Sequence, residues 1–294
     1  QVNPSSYNPA QVLRISNQQF MLEVEYIEAL EYAYMTLFRI WIQRPELPIS
    51  HFTDLPTIRA VSKSGKRSTD VYLWSTALYS ISNEDILKSV TENNFGKVLL
   101  SATYVDSDAL RKVQSFVEEL NEIGLNSAFV VSNNQLVLKG DSISYRVQEY
   151  VQEAVALNMQ EVHLDIEPHT FDSWKQNQQQ LLTYYLQLLQ SFRKECDLMD
   201  IELSVAIPHF YDPILPQINE LADYVYIMAY GTNDMNVISK RIRQEKKLFD
   251  YEKLYLVLRL QDFVDSAQMY SAMDEMEAIE GRMKFGIHDF SALN

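Results

Sequence analysis

The chain has 294 residues, 47% hydrophobic and 22% charged, close to the globular average, which excludes wholesale disorder. Forty Asp and Glu against 25 Lys and Arg leave a net charge of −15, which argues against a nucleic-acid or anionic-membrane surface. The single cysteine, Cys196, excludes an intrachain disulfide framework and a multi-cysteine zinc site.

In chain order, Gln1 to Ala10 is polar and proline-bearing and reads as an extended tail. From about Asn17 to Gln43 the residues Phe20, Val24, Ile27, Leu30, Tyr34, Phe38 and Trp41 recur three or four apart, predicting a long helix that Pro45 and Pro48 end. Ser62 to Arg67 reads as a solvated surface loop. Residues 1–70 are therefore expected to be an N-terminal extension with one long helix.

Beyond Thr69, short β-like runs alternate with helical ones. The predicted strands are Val71–Thr76, Lys97–Thr103, Ser127–Ser132, Glu161–Glu167, Glu202–Ile207, Tyr224–Tyr230, Leu254–Leu260 and Met283–His288. The helices between them carry start signals: Ser82 with Asp85, Asp106, Asp141 and Asp172, with a stop at Gly124. Eight such units predict a parallel sheet closed as a (β/α)8 TIM barrel over residues 71–294. The competing doubly wound sheet usually carries a Gly-rich loop after its first strand, and Leu73 to Leu78 has no glycine. Too few residues follow His288 for an eighth outer helix, so the N-terminal helix is expected to cover that gap.

Barrel chemistry sits at the C-terminal ends of strands. Four of the five histidines, His163, His169, His209 and His288, fall at or near such ends, pointing to a shared site; only His51 lies elsewhere. The densest segment is Gln160-Glu161-Val162-His163-Leu164-Asp165-Ile166-Glu167-Pro168-His169. Strand side chains alternate, so Val162, Leu164 and Ile166 should pack outward while His163, Asp165 and Glu167 enter the barrel, with Glu167 at the mouth. A purely structural buried network is the alternative for these groups.

This segment resembles the family 18 glycoside hydrolases, chitinases and their relatives, which carry D-G-x-D-x-D-x-E on the fourth barrel strand. Asp165 and Glu167 match the last acidic pair, while Gln160 and His163 stand where earlier aspartates fall and Glu161 where the glycine falls. Leu221 to Tyr230 is similar to that family's sixth strand, which ends Met-x-Tyr-Asp, with Gly231 in place of the final aspartate; Ser204 to Pro208 is similar to its fifth. The resemblance implies a divergent relative that cleaves polysaccharides of N-acetylated amino sugars. It implies Glu167 as general acid, Asp165 orienting the substrate's nucleophilic acetamido group, and Tyr230 bonding its carbonyl. The predicted seventh strand offers no glutamate, which fits a mechanism without a protein nucleophile. The charge of Asp165 is expected to raise the pKa of Glu167, and His163 to tune Asp165 by its own protonation.

Placed by position alone, Trp74, Tyr104, Phe210, Tyr211 and Phe290 could stack on sugar rings. His163, His169, His209, Arg259, His288 and Asp289 could bond hydroxyls, with Asp289 holding one tautomer of His288. Two further classes compete with a glycosidase: a barrel that binds carbohydrate without cleaving it, and a metal-dependent hydrolase built on Asp165, Glu167, His169, His209 and His288. The last lacks any H-x-H or HExxH spacing, so no metal and no cofactor are expected. The expected partner is an oligosaccharide or polysaccharide, with no nucleic acid and no transmembrane segment. A polymer substrate and the missing initiator methionine lean towards an extracellular or periplasmic location.

Overall fold

The runs richest in Val, Leu, Ile and Tyr form eight parallel strands: β1 (Thr69–Leu73), β2 (Lys97–Leu100), β3 (Asn126–Val131), β4 (Glu161–Leu164), β5 (Glu202–Pro208), β6 (Tyr224–Met228), β7 (Leu254–Arg259) and β8 (Lys284–His288). Each pairs with its sequence neighbours, and β8 returns to β1 by setting Phe285, Gly286 and Ile287 against Thr69, Asp70 and Val71. The computed structural model describes residues 12–16, 19–23, 69–102, 106–138 and 144–292. The chain divides into two compact units, Gln1–Lys66 and Arg67–Asn294.

Helices fill the connections: α1 (Ser75–Ser80) and α2 (Asn83–Glu92) after β1, α3 (Ser107–Glu122) after β2, α4 (Ser144–Ala156) after β3, and α5 (Trp174–Met199) after β4. They continue with α6 (Leu215–Leu221), α7 (Met235–Arg241), α8 (Arg243–Leu248) and α9 (Ser266–Glu280). The fold is a (β/α)8 barrel, as the alternation of elements predicts. The capping logic holds locally. Ser82 accepts the Asp85 N–H at 3.1 Å, and Asp106 accepts those of Asp108 and Ala109 at 3.0 and 2.9 Å. Gly124, at φ +73°, closes α3 in the left-handed region that favours glycine. By contrast, α5 starts at Trp174 with Ser173 at its N-cap, not Asp172, and Asp141 lies outside the described residues.

The first unit differs from expectation where it is described. Val12–Ser16 and Gln19–Glu23 are antiparallel strands in register from Val12↔Glu23 to Ser16↔Gln19, so the helix predicted from Asn17 does not begin there. A two-residue separation between the paired ends Ser16 and Gln19 is a common hairpin length, and the three-to-four spacing read from Phe20 onward carries no signal of that cross-strand pairing. The rest of the predicted helix, the tail, His51, the Ser62–Arg67 loop and the covering of the barrel's open end lie outside the described residues.

Alternation along the strands builds two layers. Outward residues such as Val162, Leu164, Ile166, Val205 and Phe285 join Phe116, Leu189 and Phe192 of the helices in one apolar core. Full burial of each such side chain contributes about 1.5–3 kcal/mol. Inward residues form a second cluster of Tyr72, Leu99, Ala128, Val130, Ala206, Tyr226, Tyr255 and Val257. The Tyr226 and Tyr255 rings stack with centroids 4.4 Å apart. Gly286 makes room for Val257 beside them, since a Cβ there would sit 3.1 Å from Val257 Cγ2 and 3.5 Å from Tyr226 Cδ1.

Below this stack the lumen is polar. Lys97 Nζ bonds the Glu161 carboxylate, which also accepts the Ser204 hydroxyl. Ser204 Oγ lies 2.6 Å from His163 Nδ1, and the Tyr72 hydroxyl lies 2.8 Å from His163 Nε2. Because Ser204 gives its proton to Glu161, it accepts from Nδ1–H, and Tyr72 donates to Nε2. Tyr226 donates to Asp70 at 2.7 Å. Burial acts against the charge of Lys97, but the Glu161 and Asp70 carboxylates outweigh it and raise the ammonium's pKa. Removing one partner of such a pair strands a buried charge. Lys97→Met is therefore expected to cost about 3–5 kcal/mol of unfolding free energy, and Lys97→Met with Glu161→Leu to recover most of it. Urea unfolding of both variants checks this; equal losses would show that the pair is not the unit of stability.

Candidate functional site

Backbone pairing carries β4 one step past its last strand residue, with Asp165 N–H donating to Val131 O at 2.9 Å. The chain then leaves through a 3-10 turn, Pro168–Thr170. Asn134, from the turn after β3, accepts the Glu167 N–H at 2.7 Å and donates to Thr170 Oγ1 at 3.1 Å. The Thr170 hydroxyl in turn donates to Glu167 O at 2.7 Å. The strand ends earlier than predicted, yet its alternation persists. Ile166 is buried in the outer core, Asp165 enters the lumen, and Glu167 stands at the mouth with its side chain 31% exposed.

The charges are distributed differently from expectation. Asp165 is the more perturbed carboxyl, pushed up to about 7 by burial and by the charge of Glu167. Burial alone raises Glu167. The inner carboxyl is thus raised by the outer one, the reverse of the expected direction, because the inner position is the more desolvated. Among the described residues no hydrogen bond reaches the Asp165 carboxyl, although its charge is felt by the phenols of Tyr72, Tyr185 and Tyr230. Burial, with Asp165 and Glu167, holds Tyr230 well above the usual phenol range, so it remains a proton donor.

His163 plays neither role expected of it. It is fully buried, and both ring nitrogens are occupied by Tyr72 and Ser204, so it offers nothing to a ligand. Burial and the Lys97 ammonium push its pKa down to about 3, so it stays neutral and does not tune Asp165.

Tyr230 follows β6 and meets the ends of β7 and β8. The Arg259 guanidinium lies 5.3 Å from its ring centroid, and the His288 ring 5.5 Å. His288 also packs on Trp74 at 5.5 Å and Tyr72 at 5.6 Å. Asp262 clamps this corner, accepting from Arg259 at 2.8 Å and from the Gly231 N–H at 2.9 Å. Gly231 sits at φ +82°, a backbone that suits glycine better than the aspartate of the resembled motif. His288 Nδ1 and Arg259 Nε are buried without partners among the described residues. Asp289 instead accepts from the Ser291 N–H at 2.8 Å, so it does not fix the His288 tautomer as expected.

On the other side of Glu167, His169 Nε2 lies 3.6 Å from Glu167 Oε1 and His169 Nδ1 3.2 Å from the Tyr211 hydroxyl. Trp174 and Phe210 pack around the imidazole at 6.3 and 5.3 Å. Tyr211 is fully buried, and Phe290 likewise, so neither offers a face for stacking; loop turns fold both rings into the core. Phe210 is exposed. His209 packs on Phe210 at 5.4 Å and feels the charges of Arg241 and Asp212. Tyr104 lies outside the described residues.

The structure therefore groups Asp165, Glu167 and Tyr230 with His169 on one side and Trp74, Arg259 and His288 on the other. Sequence reading missed Tyr72, Asn134, Tyr185 and Trp174. Tyr72 was legible as an inward β1 position two residues before Trp74, and Tyr185 shares the helical spacing of Leu181 and Leu188. Among the described residues no three His, Cys, Asp or Glu side chains converge closely enough to hold a metal ion, so the ligand set of a metal-dependent hydrolase does not assemble. No described helix is long and apolar enough to cross a membrane.

A carboxyl at 3.8 in the unfolded chain and about 7 in the fold binds an extra proton between those values, so its contribution to stability is lost as pH rises through about 7. Asp165→Asn removes that loss. It is expected to raise the unfolding free energy above pH 8 by up to about 4 kcal/mol and to change it little near about pH 4. Chemical denaturation across pH checks this; a gain that does not depend on pH would contradict it.

No family model and no curated protein matches the sequence. Among solved structures, a family 18 chitinase from Pseudoalteromonas aurantia aligns at 12% identity and TM-score 0.57, over 76% of this chain and 94% of that one. Catalytic domain 2 of the Ostrinia furnacalis Group II chitinase, as a mutant in complex with penta-N-acetylchitooctaose, aligns at 13% identity and TM-score 0.51, over 66% of this chain and 64% of that one. The match thus spans less than two thirds of that domain. A chitinase-like agglutinin from Robinia pseudoacacia aligns at 15% identity and TM-score 0.50, over 65% and 69%. At these identities the likeness is one of fold: a divergent, chitinase-like barrel.

Proposed function

We propose that this barrel binds and hydrolyses glycans containing N-acetylated amino sugars. The observation that carries the reading is a pair of carboxyls at the C-terminal mouth, Asp165 and Glu167, in which burial of both and the charge of Glu167 acting on Asp165 retain a proton near neutral pH. The likeness of the fold to chitinase barrels supports the same reading.

Glu167 is the outer, solvent-reaching member and protonates the glycosidic oxygen. Asp165 is inner and desolvated; once ionised it accepts the substrate's acetamido N–H and steadies the positive charge that develops there. Tyr230 donates to the acetamido carbonyl, whose oxygen attacks the anomeric carbon. That route suits a β7 that ends at Arg259 and presents no carboxylate nucleophile. A glycan polymer as substrate supports an extracellular or periplasmic location. A second reading, carbohydrate binding without cleavage, draws on the likeness to the chitinase-like agglutinin.

Glu167→Gln keeps the shape and removes the proton, so turnover is expected to fall by roughly 10²–10⁴ while binding of an N-acetylated oligosaccharide survives. Asp165→Asn is expected to hurt cleavage of an N-acetylated polysaccharide more than that of its deacetylated form. Wild-type turnover should decline as pH rises through about 7, where the pair loses its shared proton. Binding by the wild type with no hydrolysis in any of these assays would favour the second reading.

A further inference from the structure

Glu167 has one polar side chain beside its carboxyl that is itself held by a buried group. His169 Nε2 approaches Glu167 Oε1 to 3.6 Å, and His169 Nδ1 lies 3.2 Å from the Tyr211 hydroxyl. Burial lowers the imidazole's pKa, so the ring is neutral and carries a single N–H. Which nitrogen holds it is settled by Tyr211. That phenol is fully buried, its pKa is raised by burial, and His169 Nδ1 is the acceptor described for its proton. A buried hydroxyl without an acceptor is costly, so Tyr211 donates, Nδ1 accepts, and the imidazole proton resides on Nε2, facing Glu167.

The rings around His169 leave it little freedom. Trp174 from α5 and Phe210 and Tyr211 from the loop after β5 meet it edge-on at 6.3, 5.3 and 5.9 Å. Tyr185 braces Tyr211 from behind at 5.9 Å. The backbone of the same turn is pinned by Asn134 and Thr170. The titratable groups facing Glu167 are Asp165 from β4, Tyr230 from β6, Tyr211 from the β5 loop and His169 itself. Burial opposes the ionised form of Glu167, whereas an Nε2–H donor favours it.

We propose that His169, set in its Nε2–H tautomer by Tyr211, is the positioning residue of Glu167, a fixed donor on which the carboxylate closes as it forms and which holds it for the return of a proton. The proposal rests on the glycosidase reading only for what Glu167 does to a substrate; the tautomer and the coupling to Glu167 stand apart from it. A proton donor poised on the ionised form eases the release of the Glu167 proton and steadies the base that follows.

The test uses the full chain. Nitrogen-15 NMR of the His169 ring should show the Nε2–H tautomer in the wild type and its loss in Tyr211→Phe. Carbon-13 titration of the Glu167 carboxyl, assigned by its disappearance in Glu167→Gln, should show a pKa about one unit higher in His169→Leu. His169→Gln, which supplies an N–H of similar reach, should restore it. With an N-acetylated oligosaccharide, His169→Leu should lower kcat about tenfold with KM unchanged, again restored by Gln. A Nδ1–H tautomer in the wild type, or an unchanged Glu167 titration in His169→Leu, overturns the proposal. Should His169→Leu not fold, the wild-type tautomer and the Tyr211→Phe titration decide it. Failure of the glycosidase reading looks different: the NMR results hold while the wild type cleaves nothing.

Discussion

The buried pair of Lys97 and Glu161 organises the interior of this barrel. An ammonium and a carboxylate inside a closed sheet must satisfy each other and every remaining lone pair, and the chain does so with Ser204, His163 and Tyr72 in sequence. Each donor in that series is committed before the mouth is reached. Asp165, the next inward residue after β4, accepts no hydrogen bond among the described residues, and burial and the charge of Glu167 raise it together. The elevated carboxyl thus owes its proton to its depth and to its neighbour Glu167.

The same logic divides the mouth. On the β4 side, carboxyls stand beside an imidazole and aromatic rings anchored by α5 and the loop after β5. On the β6 to β8 side, Asp262 ties the Arg259 guanidinium to the turn at Gly231 and keeps the cation over the Tyr230 ring. Tyr230 faces both halves, since it feels Asp165 and Glu167 as well as Arg259. Its backbone carbonyl is held from a third direction by Arg241 at 3.3 Å.

Much of this was legible in the sequence where one rule dominates. The inward set of His163, Asp165 and Glu167 follows from the period of a strand whose other face is apolar, and the order of eight strands from their alternation with helices. The caps at Ser82 and Asp106 follow from local chemistry. What resisted reading depends on residues distant in the chain. That His163 is occupied depends on Tyr72 and Ser204, and that Tyr211 is buried depends on α5. The order of the two carboxyl pKa values depends on relative depth, which a sequence does not record. The hairpin at Val12–Glu23 was missed because Phe20 begins an apolar series that fits a helical period from Val24 onward.

Two of the three tryptophans stand at the mouth, on opposite edges. Trp74 packs edge-on against His288 at the end of β1, and Trp174 against His169 at the start of α5. Indole emission responds to local polarity and to quenching by neighbouring imidazoles. The barrel thus carries an optical reporter on each rim, and replacing Trp41 and one rim indole by phenylalanine would let the fluorescence of the other follow a ligand's arrival on its own side.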